Sequence, residues 1–319
     1  MTESQPTDAH DAPPAVVAVT GGSGFIGTHV VDALVAAGHP VRVLDARAPR
    51  RDDVDWAEVD MLDQDSVTDA LKGAGPVFHL AAMADVNDVM ADPAGSIERN
   101  VLGTARILEG ARRADTGRVI LSSTVWVYAA TKGDVVDEDA PIHLDTQRHI
   151  YASAKIASEM LCGDYANLFD RKYTILRYGI PFGPHMRGDL VIAAFIERAL
   201  AGQPLTIDGD GSQQRNFVYV EDLAAAHPLA LAGVATNRTY NLEASQPITI
   251  RELAETIGRL VGDTDVSFGP ARPGDYKARV VRADRARDEL GWTPQHSFED
   301  GLRNTIAWYR EREAQRGSA

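Results

Sequence analysis

Cysteine is nearly absent: Cys162 is the sole one in 319 residues. One thiol excludes an internal disulfide and suits a reducing compartment, so a cytoplasmic protein is expected. No His, Cys and Asp residues fall at metal-ligand spacing, so no metal site is expected. Positive charge is scarce, 32 Lys and Arg against 46 Asp and Glu, for a formal charge of −14. That balance argues against nucleic acid and anionic membrane surfaces as partners. No apolar run is long enough to span a bilayer. Residues 1–14 hold three prolines and scattered acids, without the basic start and apolar stretch of a signal peptide, and read as a disordered tail. What remains, 44% apolar in a chain of this length, can bury a large core, as one big domain or a domain plus a lobe.

Glycine is placed where it matters most between Thr20 and Gly27. Val16-Val17-Ala18-Val19 reads as a short buried strand, and Phe25 to Gly38 carries Ile26, Val30, Val31, Leu34 and Val35 at helical spacing. Between them, Gly21, Gly24 and Gly27 form a strand–turn–helix fingerprint. The first allows a tight turn, the second lets backbone approach a pyrophosphate, and the third lets helix pack on strand. Pro40–Asp45 reads as the next strand, ending in an acid able to accept hydrogen bonds from both ribose hydroxyls of NAD and to repel the extra phosphate of NADP. Arg47 stands close enough to admit NADP.

Strand and helix patterns alternate through residue 180, which predicts a parallel sheet covered on both faces. Val54–Asp60 is a third strand, with Asp60 and Met61 at its end, and Asp63–Leu71 a helix. Val77–Ala82 is the fourth, whose end, Leu80-Ala81-Ala82, leaves room for a cofactor across the sheet edge. His79 inside it reads as a packed histidine. A single helix is expected from about Asp92 to Arg113, with Asn100 in its middle awaiting a partner. Arg118–Ser122 is the fifth strand and runs into Ser123 and Thr124, and 129–149 reads as a polar loop over the site. Tyr151 and Lys155 then open a helix on one face. An ammonium beside a phenol favours the phenolate, so the spacing predicts a Tyr151 that exchanges its proton near neutral pH. Farther on, Thr249 and Glu252 form a capping box opening a helix to about Leu260.

Taken together the chain resembles the extended short-chain dehydrogenase/reductase family, in the NAD-dependent epimerase/dehydratase branch acting on nucleotide sugars. The resemblance runs from residue 16 to about 312 on TGGSGFIG (20–27), LD (44–45), HLAA (79–82), NVLGT (100–104), SSTVWVY (122–128), YASAK (151–155), LRYGIPFGP (176–184), DGDGSQQRNFVYVEDLA (208–224) and RPGD (272–275). It implies an α/β fold: a Rossmann-type doubly wound parallel sheet with a smaller C-terminal α/β substrate lobe. The domains expected are an NAD-binding unit over 15–180, to which parts of 218–248 return, a substrate lobe over 181–312, and a tail over 313–319. It implies catalytic roles for Thr124, Tyr151 and Lys155. Around tightly bound NAD it places Gly21, Gly24, Phe25, Ile26, Gly27, Asp45, Asp60, Met61, Leu80, Ala81, Ala82, Asn100, Ser122, Tyr151, Lys155 and Tyr178. Around a nucleotide-diphosphate sugar it places Asp85, Thr124, Ile180, Val191, Thr206, Arg215, Arg272 and Asp275, the two arginines gripping the diphosphate. A homodimer through the helices near 92–113 and 151–169 is also implied.

Within that family, 4,6-dehydratases carry Asp-Glu after the Thr, and decarboxylases tend to have Glu two after it. Here Val125 and Trp126 stand there, and neither moves a proton. A 4-epimerase of a UDP-sugar is therefore expected. The alternatives are an NAD(P)H-dependent reductase of a keto-sugar or other carbonyl, a dehydratase or decarboxylase, and a non-catalytic NAD-binding regulator. Two positions depart from common UDP-sugar patterns: Ile180 where Asn is frequent, and Asp208 where an aromatic residue often stacks on uracil.

Overall fold

The computed structural model describes residues 15–144, 149–244, 246–262, 264–270 and 280–317. Seven strands form one sheet: β1 (Val16–Thr20), β2 (Val41–Leu44), β3 (Asp55–Ala57), β4 (Ala74–His79), β5 (Val119–Thr124), β6 (Tyr173–Tyr178) and β7 (Arg238–Leu242). Their order is β7-β6-β5-β4-β1-β2-β3, and each neighbouring pair is parallel. Chain order reverses between β1 and β4, so a crevice opens there at the carboxyl ends of the strands.

Eleven α-helices are described: α1 (Phe25–Ala36), α2 (Gln64–Leu71), α3 (Val86–Ala91), α4 (Pro93–Ile97), α5 (Gly103–Arg113), α6 (Ile150–Phe169), α7 (Val191–Leu200), α8 (Val220–Leu229), α9 (Ile250–Val261), α10 (Asp284–Leu290) and α11 (Phe298–Gly317). Val30 and Leu34 of α1 pack with Leu223 and Ala226 of α8 on one sheet face. Val67, Ile107 and Cys162, from α2, α5 and α6, cover the other. A separate core joins α7, α9 and α11 through Phe195, Leu253, Ile257 and Tyr309. Full burial of each such side chain contributes about 1.5–3 kcal/mol. α9 opens on the Thr249–Glu252 capping box with both reciprocal bonds made. No helix among the described residues is long and apolar enough to cross a membrane.

The helix expected over 92–113 is not continuous. A π-turn over Glu98–Leu102 separates α4 from α5. At its centre stands Asn100, whose side chain accepts from Met83 N–H at 2.8 Å and donates to Met83 O at 2.9 Å. The widened turn also leaves Asn100 O to accept from the hydroxyls of Thr104 and Ser158. π-turns often mark functional positions for this reason: they re-aim backbone groups inside a helix.

Candidate active site

The glycine turn admits no side chains where it meets the sheet. Gly21 has φ of +70°, and a Cβ there would stand 2.7 Å from Ala81 N, in the loop after β4. A Cβ on Gly27 would collide with Gly21 O. Both residues are held to glycine by close backbone approach. α1 then begins with Gly24 as its cap, without a side-chain cap bond and without an acid in its first turn. Its leading N–H groups and the positive end of its dipole stay open to an anion. At the end of β2, Asp45 accepts from Ser23 N–H at 3.1 Å and from Arg47 N–H at 3.0 Å. The turn, the uncapped helix and this fixed carboxylate fit the pyrophosphate and adenosine ribose of NAD. Asp60 is exposed and caps its own turn through Leu62 N–H, and Met61 packs beside α5.

At the edges of β4 and β5 the residues are small and hydrogen-bonded. His79 bridges Thr20 (2.8 Å) and Thr104 (3.1 Å) through its two ring nitrogens. Burial drives its pKa down to about 3, so it is neutral and structural. Ser122 donates its hydroxyl to His79 O at 3.0 Å, while its carbonyl accepts from Lys155 Nζ at 2.8 Å. Thr124 Oγ1 accepts from Trp126 N–H at 3.2 Å.

Tyr151 and Lys155 stand together on the first turns of α6, with the ammonium 5.7 Å from the centre of the phenol ring. Burial lowers Lys155 to about 8, with Glu159 and Cys162 pulling it back up. The same burial pushes the Tyr151 phenol well above its ordinary range. The neutral-range phenol expected from the spacing is thus not a property of the chain alone. Desolvation of the phenolate outweighs an ammonium that is directed at a carbonyl oxygen.

Tyr178 is held from the neighbouring helix α8. Its hydroxyl lies 2.6 Å from His227 Nε2 inside the core. His227 Nδ1 is bonded to the Leu223 and Ala224 carbonyls, which makes Nε2 the acceptor. Asn100 fixes Met83 through its side-chain amide, which also donates to the Ser96 hydroxyl at 3.2 Å.

The remaining predicted residues are spread over several elements. Asp85 is buried, caps α3 through Asp88 N–H and forms an ion pair with Arg187. Ile180 pairs with Phe217 in a two-stranded ribbon, Val191 opens α7, and Thr206 sits beside Ser267 at 3.2 Å. Arg215 lies on a short strand paired with Ile248 and Thr249. Arg272 and Asp275 fall outside the described residues. Sequence reasoning missed Glu159, Arg177 and Tyr128 behind the site. The signal for Glu159 was present, since it stands one turn beyond Lys155 on the same helix face.

A parallel sheet of this order, with a glycine turn at its switch point and Thr, Tyr and Lys at one edge, defines a dinucleotide-dependent α/β enzyme. The chain belongs to the NAD-dependent epimerase/dehydratase family, which it matches over residues 17–242; the cofactor is NAD. It is 33% identical to UDP-glucose 4-epimerase of Mycolicibacterium smegmatis, over 92% of this chain and 98% of that one. It is 30% identical to dTDP-glucose 4,6-dehydratase of Streptomyces niveus, over 93% and 94%. Among solved structures it resembles UDP-glucose 4-epimerase of Thermotoga maritima with UDP-glucose, at a TM-score of 0.86 and 31% identity, covering 93% and 99%.

Proposed function

We propose that this enzyme is a nucleotide-sugar 4-epimerase, with a UDP-sugar as substrate and NAD retained between turnovers. The observation that carries this reading is the pair Val125 and Trp126 directly after Thr124. Elimination of water or carbon dioxide needs further acid or base groups beside the sugar, and these two side chains supply none. The relatives alone do not choose, because an epimerase and a dehydratase match to similar extents.

In this mechanism Tyr151 takes the proton of the sugar C4 hydroxyl and later returns it. Thr124 holds the C4 oxygen, and Lys155 supplies positive charge beside the phenol and positions the ribose. NAD, when bound, would supply the reversible hydride acceptance at C4 and, in its oxidised form, positive charge near the phenol. The 4-keto sugar turns over between the two transfers, so net redox is zero. Gly21, Gly24, Phe25, Ile26, Gly27 and Asp45 hold the cofactor. Arg215 and Arg272 are assigned to the diphosphate and Asp275 to the substrate. The exposed Met90, Ile97, Met160 and Leu168 support a homodimer through the α3–α5 and α6 faces, which light scattering tests.

The deciding experiment is proton NMR in D₂O with a panel of UDP-sugars and no added cofactor. The expected result is a C4 epimer with no deuterium in the sugar. Deuterium at C5 would mean a carbanion route and overturn the proposal.

A further inference from the structure

Glu243 follows β7 directly, at the carboxyl edge of the sheet. Register aligns Thr124 with Tyr178 and Tyr178 with Leu242. The next residues, Val125, Gly179 and Glu243, therefore form a row just outside the strand ends, where open parallel sheets hold ligands. Glu243 is 5% exposed, and its carboxyl lies on Gly179. A Cβ at 179 would stand 2.7 Å from the carboxyl carbon. Gly179 N–H donates to Leu242 O at 2.8 Å and locks the two strand ends together. The carboxyl thus occupies the space that a side chain at 179 would otherwise fill.

This carboxyl has little support from its surroundings. Ala244 N–H donates to Oε1 at 3.0 Å, and no described Arg or Lys forms an ion pair with it. The charged groups lining the same cavity, of about 620 Å³, are engaged with one another: Asp222 with His296, and Arg282 and Arg287 with Asp284. On β6, Arg177 is bonded to Glu159. Burial alone lifts Glu243 to about 8. A buried carboxyl without a cation among the described residues is a local conflict, and such conflicts are expected where a ligand resolves them.

We infer that Glu243 is a specificity-determining residue of the sugar pocket, hydrogen-bonding a hydroxyl of the bound hexose and disfavouring hexoses that carry a carboxylate. The inference rests on the nucleotide-sugar reading above. Protonated, the side chain donates to a hydroxyl oxygen, and ionised, it accepts from the hydroxyl. A substrate carboxylate gains no free cation there from the described residues and is repelled once Glu243 ionises. Arg187 offers it nothing in compensation, being paired with Asp85.

The test measures Kd by calorimetry and kcat/KM for UDP-glucose and UDP-glucuronate between pH 6.5 and 9. It uses the wild type, Glu243→Gln and Glu243→Met, with melting curves as folding controls. The ratio between the two substrates is the readout, because titration of Tyr151 or Lys155 affects both and cancels. The wild type is expected to favour UDP-glucose, with the preference widening about tenfold from pH 7 to pH 9. In either variant the preference should shrink and lose its pH dependence. Equal ratios with the same pH course in all three proteins would overturn the inference. Binding that follows this pattern without conversion to a C4 epimer would instead overturn the epimerase reading and leave the role of Glu243 standing. If neither compound binds, both readings fall.

Discussion

Glu159 and Arg177 meet in two parallel hydrogen bonds, Nε to Oε1 at 3.0 Å and Nη2 to Oε2 at 2.6 Å, one helical turn beyond Lys155. Both side chains are buried, at 8% and 7% exposed. The Ser123 hydroxyl also donates to Glu159, and Arg177 donates to the Tyr128 hydroxyl at 2.6 Å. The pair therefore ties α6, which carries Tyr151 and Lys155, to β6 and to the residue just before Thr124. Breaking a buried pair leaves an uncompensated charge. Glu159→Ala is expected to lower unfolding free energy by about 3–5 kcal/mol in urea denaturation. A loss below about 1 kcal/mol would show that water already reaches the pair.

Tyr151→Phe removes the acid/base group and little else, since the ring stays packed. Turnover should fall by about 10²–10⁴-fold or more, while NAD affinity by fluorescence titration changes little. Turnover near the wild-type level would remove Tyr151 from the mechanism.

Asp45→Ala should relax cofactor choice. The carboxylate is fixed by the Ser23 and Arg47 N–H groups, in a position that favours ribose hydroxyls and repels a phosphate. The ratio of NADP to NAD affinity should rise by at least about tenfold, or about 1.4 kcal/mol. An unchanged ratio would mean that cofactor choice is made elsewhere.

Acid should destabilise the fold through two buried histidines. Burial lowers His79 to about 3 and His227 to about 4, both below the value near 6.5 in an unfolded chain. Between those values the unfolded state binds more protons, so stability rises with pH and is lost as pH falls below 6.5. Each histidine contributes a slope of up to about 1.4 kcal/mol per pH unit. Denaturation from pH 7 to 4.5 checks this, with His79→Asn expected to flatten the curve.

Local sequence was sufficient wherever the physics is local. The period of α1, the Thr249–Glu252 box and the i, i+4 placement of Tyr151 and Lys155 all depend on neighbours within about one helical turn. The alternation of strand and helix likewise led to the parallel sheet. Asn100 shows where such reasoning stops. Its neighbours read as ordinary helix, yet the structure has a π-turn there with Asn100 bonded to Met83, a partner in the loop after β4.

What the sequence by itself determined is the fold class, the cofactor and the residue types at the sheet edge. Only the tertiary structure decided how those residues are solvated and which partners they meet. Tyr151 is pushed upward because the fold encloses it, and Tyr178 is turned into the core because His227 arrives from α8. Glu243 sits on Gly179 because β6 and β7 share a register. Each result depends on parallel strands brought together across long stretches of chain. Burial and pairing are properties of that assembly, and no window of the sequence contains them.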